Sequence, residues 1–197
     1  MLQTHHFVLG DYQTNCYAIR HHENTRSCCI IDPGYRPDLL LRYLEQEHLT
    51  LEAILLTHGH FDHVGAVKEL VAETGCKVYI HTAESTMPPM MTAGTLYFTD
   101  TYDEGDTLHL AGLDIFVIHT PGHTPGSVCL LCGNVMFSGD TLFAGGCGRT
   151  DLPGGDWATI HESLGRIASM EADFRVFPGH GESTTLAQEK KYNPYIR

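Results

Sequence analysis

The sequence predicts an α/β fold in which strands and helices alternate. Short apolar runs recur along the chain and are bounded by glycine, proline or aspartate, a pattern typical of buried strands. Between several of these runs, apolar residues recur every three or four positions, which indicates helices with one core-facing side. Because the links between these segments are short, the alternation favours βαβ units, in which a helix joins two parallel strands.

The first half of the chain is rich in predicted strands. Asp32-Pro33-Gly34 ends the third of them with residues typical of turns. Pro37 begins a predicted helix, because proline suits the first helical position, and a second amphipathic helix runs from Val64 to about Gly75. The predicted strands of this half lie at 7–9, 16–19, 28–31, 53–56 and 77–80.

The second half continues the alternation after one irregular segment. Residues 84–98 contain Pro88-Pro89 and three methionines, and we expect either a lid or a surface loop there. Asp156 is the expected N-cap of a helix over 157–170, and a short polar helix is expected to close the chain. The predicted strands lie at 107–110, 113–118, 128–131, 135–137 and 175–177, with hairpin turns at 111–112 and 133–134.

Composition limits the possible functions. The 197 residues suit a single domain spanning 1–197, and the net charge of −12 would repel a nucleic-acid backbone. No apolar run approaches the roughly 20 residues that cross a bilayer, and no signal-peptide pattern opens the chain, so we expect no membrane partner. The odd count of seven cysteines favours reduced thiols and a cytoplasmic location. Cys129 and Cys132 lie in a predicted buried strand, which favours structural thiols over a redox or metal-binding pair.

A cluster of metal-ligand residues follows the predicted strand at 53–56. His58, His60, Asp62 and His63 fall within six residues, at the strand end where α/β sheets place their sites. A lone histidine in a loop is usually only solvated, but crowded imidazoles repel one another once protonated, so the cluster is costly without a cation. Imidazole and carboxylate are ligands for first-row divalent metals. The sequence therefore predicts a metal site here.

Three later strand ends complete the predicted site. His123, Asp140 and His180 each lie beside a glycine, which lets the backbone approach a neighbouring group closely. With the first cluster they suffice for two divalent metal ions, most simply zinc, with iron or manganese also compatible with these ligands. The predicted assignment is one ion at His58, His60 and His123, a second at Asp62, His63 and His180, and Asp140 as the bridge between them.

The ordered set His58-x-His60-x-Asp62-His63, His123, Asp140 and His180 resembles the motifs of the metallo-β-lactamase fold. That resemblance implies an αββα sandwich, two mixed sheets with helices on the outer faces. The Asp62-His63 pair with Asp140 resembles the glyoxalase II branch rather than true β-lactamases, so antibiotic hydrolysis is not expected. Residues 138–156 and the ending Tyr192-Asn193-Pro194 are similar to the short, single-domain, hydroxyacylglutathione hydrolase-like proteins of bacteria.

The resemblance implies hydrolysis of a small-molecule thioester such as S-lactoylglutathione, by a hydroxide shared between two cations. Asp62 and Asp140 would be the catalytic carboxylates, with Asp62 orienting the nucleophile. Arg149 stands at the position of a basic glutathione-contacting residue, although a surface ion pair is an equal alternative. The match departs where the family has tyrosines, since Asp151 and Glu182 stand there instead. We also expect no counterpart of the C-terminal helical domain that contributes to glutathione binding in full-length glyoxalase II.

Other functions remain open at this point. Persulfide dioxygenases resemble the same motif set but use one iron, for which His58, His123 and Asp140 would be the ligands. A lactonase or other ester hydrolase would use the same metals, and a binding protein with a degenerate site is a further alternative. Asp32 either caps its turn or reaches the ligands, and we expect His81 and His119 to be structural. The sequence does not determine the oligomeric state.

Overall fold

Two mixed β-sheets pack face to face in the computed structural model of the chain, which describes residues 1–23, 26–92 and 94–196. The first sheet has antiparallel pairing among its first three strands and parallel pairing from the third onward. In spatial order its strands are β1 (Leu2–Leu9), β2 (Thr14–His21), β3 (Ser27–Ile31), β4 (Thr50–Leu55), β5 (Lys77–His81) and β6 (Asp100–Tyr102). The carboxyl ends of β3, β4 and β5 therefore share one edge.

The second sheet is mostly antiparallel, with one parallel pair between the strands Val135–Gly139 and Arg175–Pro178. Two short strands, β11 (Leu142–Phe143) and β12 (Gly146–Cys147), form a separate ribbon. In spatial order the second sheet contains β14 (Thr184–Thr185), β13 (Arg175–Pro178), β10 (Val135–Gly139), β9 (Val128–Cys132), β8 (Leu113–His119) and β7 (Thr107–Leu110).

Helices cover the outer faces of both sheets. They are α1 (Pro37–Gln46), α2 (Phe61–Val64), α3 (Val67–Thr74), α4 (Trp157–Ala168) and α5 (Leu186–Tyr192), with a 3-10 helix at Thr82–Thr86. Side chains alternate across each strand, so Ile54 of β4 packs with the α1 and α3 helices while Leu55 packs between the sheets. A third cluster joins Met136 of β10 to Ile160 and Leu164 of α4. The predicted αββα sandwich is therefore confirmed.

Most predicted elements occur close to their expected positions, with three kinds of difference. Strand β1 begins at Leu2 rather than at the predicted Phe7, because the polar residues before Phe7 also pair with β2. The helix expected over 64–75 is split at Gly65-Ala66, because Ala66 N–H donates to Pro33 O at 2.9 Å and the turn after β3 packs against the break. Strands β6, β11, β12 and β14 were not predicted, because each is only two or three residues long and lacks an apolar run. Pairing with neighbours, rather than local pattern, creates them.

The irregular segment at 84–98 packs against the metal-ligand cluster. Phe61 N–H donates to Met91 O at 2.7 Å, and Glu84, Met87 and Met91 are buried whereas Met90 is 80% exposed. Ala93 lies outside the described residues. A simple surface loop does not account for this burial, and movement as a lid stays a prediction.

Cys129 and Cys132 lie in surroundings that suit structural thiols. Cys129 and Cys132 are both buried on β9 and unpaired, and burial raises the pKa of Cys129 to about 11, which keeps it in the unreactive thiol form. Among the described residues, no helix is both long enough and apolar enough to cross a membrane.

Candidate metal centre

The structure brings the seven predicted ligands together at the ends of strands from both sheets. His58 follows β4 of the first sheet, and His123, Asp140 and His180 follow β8, β10 and β13 of the second. The two sheets are tied at this edge by an isolated bridge between Thr14 and His180. Residues separated by more than half the sequence therefore lie together, because the strand ends of the two packed sheets share this edge.

The first group consists of His58, His60 and His123. One nitrogen of each ring lies within 4.8 Å of the others, and all three residues are buried. His60 Nδ1 is 2.9 Å from His123 Nε2. This is the group that the sequence assigned to one cation, and the three loops do converge as expected.

The second group consists of Asp62, His63 and His180, again with one ligand atom of each within 4.8 Å of the others. Nε2 of His180 lies 3.2 Å from Asp62 Oδ2 and 3.3 Å from His63 Nε2. The side chain of His180 is 27% exposed, whereas that of His63 is completely buried. The second group therefore faces the opening of the centre.

Asp140 lies between the two groups. Its Oδ2 is 3.5 Å from Nε2 of both His123 and His180, and its Oδ1 is 3.5 Å from His63 Nε2. One carboxylate thus contacts a histidine of the first group and two of the second, the arrangement expected of a bridging ligand.

Four of the histidines are oriented through their Nδ1 atoms. An Nδ1–H that donates to an oxygen leaves Nε2 unprotonated and free to bind a cation. The acceptor oxygens include two backbone carbonyls, one hydroxyl and one carboxylate. They are Thr57 Oγ1 for His58 at 3.1 Å, Asp32 Oδ2 for His63 at 2.9 Å, Arg149 O for His123 at 2.7 Å and Tyr12 O for His180 at 3.1 Å.

Unpaired buried atoms indicate that these residues fit a divalent metal. His58 Nε2, His60 Nε2 and Asp140 Oδ1 are buried and have no hydrogen-bond partner among the described residues. Leaving one such group unsatisfied costs about 1–3 kcal/mol, and three in one cluster need a common partner. Imidazole nitrogen with carboxylate oxygen is a donor set for first-row divalent metals, so cations of this class account for the cluster.

Asp32 reaches the ligands, which decides between the two roles left open by the sequence. The residue is 1% exposed, and its Oδ2 accepts hydrogen bonds from Thr57 Oγ1 at 2.6 Å and His63 Nδ1 at 2.9 Å. Its Oδ1 accepts the Thr57 N–H at 2.8 Å. Since Thr57 also holds His58, this one carboxylate orients a ligand in each group. The signal in the sequence was an aspartate at the end of the strand beside β4.

Arg149 contributes its backbone rather than a free side chain. The guanidinium is 61% exposed and forms a two-bonded ion pair with Asp151 at 2.7 Å, while the carbonyl oxygen orients His123. Of the two roles considered for Arg149, the structure shows the surface ion pair.

His81 and His119 stack on each other at 4.0 Å between ring centroids, a packing contact in keeping with the structural role expected of them.

The two groups differ in charge. Burial, reinforced by His123 and His63, lowers the pKa of His60 to about 4, and burial together with the neighbouring histidines holds the pKa of His58 well below its usual range. Burial also opposes the charged form of His63, but Asp140 and Asp32 outweigh it and raise its pKa to about 9. Without a cation, His58 and His60 are therefore neutral at pH 7, whereas His63 holds a proton.

We predict that binding of the two cations is linked to pH in different ways. A cation in the second group displaces the His63 proton, so its affinity rises with pH until the pH passes about 9. A cation in the first group meets the neutral rings of His58 and His60, and His60 takes up a competing proton as the pH falls through about 4. Calorimetric titration of metal-free protein with zinc, in buffers of different ionisation enthalpy, measures the protons released. Equal proton release for both cations would contradict the prediction.

We predict that Asp32→Asn weakens cation binding by about 10- to 100-fold, the usual effect of losing a carboxylate that orients a ligand. The NH2 group of asparagine is a donor, so it would face one of the groups that donate a hydrogen bond to Asp32 in the wild type, and that hydrogen bond would be lost. Competition with a chelator measures the affinity. The control is Asp38→Asn, whose exposed carboxylate pairs with Arg36 away from the ligands. Wild-type affinity in Asp32→Asn would refute the orienting role.

Comparisons of the sequence with family models and with individual proteins agree on one family. The family model described as the Metallo-beta-lactamase superfamily matches residues 9–180. The chain is 35% identical over 200 residues to "Hydroxyacylglutathione hydrolase GloC" of Haemophilus influenzae, an alignment that covers 94% of this chain and 93% of that protein.

Solved structures give the same result for the fold. The crystal structure of the BLEG-1 B3 metallo-beta-lactamase superimposes with a TM-score of 0.89 at 35% identity, covering 100% of this chain and 99% of that one. The structure of TTHA1623 in a di-iron-bound form has a TM-score of 0.84 at 37% identity, covering 97% and 99%. With the seven ligand residues in place, these matches establish that the chain belongs to the metallo-beta-lactamase superfamily.

Proposed function

We propose that the chain is a hydrolase of the glyoxalase II type, which cleaves a thioester such as S-lactoylglutathione with the help of two divalent cations. The observation that carries the proposal is the position of Asp140, 3.5 Å from histidines of both groups. A carboxylate shared in this way is what a pair of cations requires. The similarity to GloC over most of the chain supports the thioester as substrate.

Each group of residues has a distinct task in this proposal. His58, His60 and His123 would hold one cation, Asp62, His63 and His180 would hold the other, and Asp140 lies between the two groups. The two cations supply Lewis-acid chemistry, polarising a carbonyl and lowering the pKa of water. Zinc suits these ligands, as does manganese, and the di-iron-bound relative makes iron equally reasonable.

Asp62 is suited to orient the attacking water. Burial opposes its ionisation, but His180 and His63 hold the pKa of Asp62 well below its usual range, so the carboxylate stays ionised at neutral pH. Thr14 Oγ1 donates to its Oδ2 at 3.1 Å, which fixes the side chain. An ionised carboxylate with one oxygen fixed in this way accepts a hydrogen bond from water and sets its direction.

Aromatic rings border the exposed second group and offer contact for the acyl part of a substrate. Tyr12 and Phe61 meet edge to face at 5.1 Å between centroids, and the Phe143 ring lies 6.2 Å from that of His180. Arg149 remains our proposed contact for a substrate carboxylate, in competition with Asp151, which now occupies its guanidinium.

A dioxygenase with one iron at His58, His123 and Asp140 is the main rival. It assigns no metal-binding role to His60, Asp62, His63 or His180, although those residues meet as closely as the others. A lactonase or other ester hydrolase would use the same centre. The B3 metallo-beta-lactamase relative adds β-lactams to the substrates worth testing.

We predict about two metal ions per chain and hydrolysis of S-lactoylglutathione without oxygen consumption. The purified protein is analysed for metals and assayed with this thioester, a thioester lacking glutathione, a lactone, a β-lactam and glutathione persulfide. His58→Ala and Asp140→Ala abolish turnover because each removes a ligand, whereas the exposed His109→Ala leaves it unchanged. About one iron per chain with oxygen consumption on the persulfide would refute the hydrolase, and a preference for lactone or β-lactam would refute the thioester.

We predict that Arg149→Ala raises KM for S-lactoylglutathione and leaves kcat unchanged, because it removes binding shared by substrate and transition state. Asp151→Asn frees the guanidinium and lowers KM. Arg36→Ala is the matched control, since Arg36 forms the same kind of exposed pair with an aspartate two residues later. An unchanged KM in both Arg149→Ala and Asp151→Asn would discard Arg149 as a substrate contact.

A further inference from the structure

A buried carboxylate outside the seven ligands lies beside the first group. Glu84, in the 3-10 helix after β5, is 1% exposed. Its Oε2 accepts the Gly59 N–H at 2.6 Å, and its Oε1 accepts the Gly126 N–H at 2.7 Å. Burying a carboxylate is costly unless its oxygens are hydrogen-bonded, and here both oxygens are used.

The two amides belong to the two loops that supply the first group. Gly59 lies between His58 and His60, in the loop after β4 of the first sheet. Gly126 lies three residues after His123, in the loop after β8 of the second sheet. One side chain therefore spans the gap between the sheets at the point where ligands from each must meet.

Both glycines are needed for the carboxylate to come this close. A Cβ atom at Gly59 would lie 2.8 Å from Glu84 Oε2, and one at Gly126 would lie 2.7 Å from Glu84 Cγ and 2.8 Å from its backbone nitrogen. These distances are shorter than normal contacts between side chains and such atoms. The loops and the glutamate thus fit one another without space for a side chain at either position.

The same segments are held at a second point that does not involve Glu84. His81 and His119 stack at 4.0 Å with their planes 10° apart, and His119 Nε2 donates to Pro125 O at 2.8 Å. Because this contact does not involve Glu84, we expect it to remain when Glu84 is changed. What Glu84 adds is control of the backbone immediately next to His58, His60 and His123.

We propose that Glu84 is a positioning residue that keeps His123 at cation-binding distance from His58 and His60. Loss of its two hydrogen bonds lets the loops separate and selectively weakens the cation of the first group. The inference rests on the cation-binding part of the proposed function and is independent of which bond the enzyme cleaves. The second group, held by Asp32 and by the carbonyl of Tyr12, is not affected.

The test is Glu84→Gln, which keeps the size of the side chain but turns one acceptor into an N–H donor facing a backbone amide. Metal-free protein is titrated with cobalt alone, with chelator competition for affinity and absorption for ligand geometry. We expect one of the two cations to bind at least about 10-fold more weakly, with altered absorption, while the other stays within about twofold of wild type.

Glu189→Gln is the matched control. Glu189 is also buried, at 2% exposure, and accepts a backbone N–H from Gly145 at 2.8 Å, but it touches neither ligand loop of the first group. Both variants should lower the melting temperature, and only Glu84→Gln should change cobalt binding. Unchanged binding in Glu84→Gln, or equal loss in both variants, would overturn the positioning role.

Gly126→Ala tests the same contact if Glu84→Gln does not fold. The added methyl group displaces Glu84 while leaving its carboxylate in the protein, and the same selective loss of one cation is expected. Wild-type cobalt binding in Gly126→Ala would overturn the proposal. Two cations with a selective loss in the variants, but no thioester hydrolysis, would instead refute the proposed function and leave the role of Glu84 standing.

Discussion

The fold has to hold seven polar side chains close together, although several of their nitrogen and oxygen atoms have no hydrogen-bond partner within the cluster. His60 Nδ1 faces His123 Nε2 at 2.9 Å, and His63 Nε2 faces His180 Nε2 at 3.3 Å. The Nδ1 atoms of His63 and His180 already donate to oxygens, so the two facing Nε2 atoms need a proton or a cation between them. The surrounding sandwich, with its three apolar clusters, supplies the free energy that offsets this local cost.

The directions of four of the seven side chains are set by oxygens of the backbone and of buried side chains. Backbone carbonyls of Arg149 and Tyr12 hold His123 and His180, and the buried Asp32 holds His63 directly and His58 through Thr57. A backbone carbonyl is already fixed by the chain. Holding a histidine ring with it therefore costs less conformational entropy than ordering a long polar side chain for the same purpose. Loops of irregular backbone therefore act as rigid parts of the centre.

The convergence of the seven residues was predictable from the sequence because each lies at a strand end with a local signal: His58 to His63 as a cluster, and His123, Asp140 and His180 beside glycine. Of the groups that orient them, Asp32 was recognisable as an aspartate at a strand end, whereas two others were not. Arg149 acts through its carbonyl, which no side-chain pattern records, and Glu84 lies in a segment that reads as an irregular loop. Such contacts depend on how distant loops pack, as does the break at Gly65-Ala66 in a helix whose periodicity is continuous.

The asymmetry between the two groups follows from where the carboxylates lie. Asp32, Asp62 and Asp140 all contact His63, whereas the first group consists of histidines, of which His123 lies 3.5 Å from Asp140. Negative charge attracts a cation and a proton alike. The carboxylates around His63 therefore favour cation binding in the second group, but they also favour a proton on His63 that must leave before a cation binds. In the proposed two-cation centre, we therefore expect falling pH to release the cation of the exposed second group before that of the buried first group.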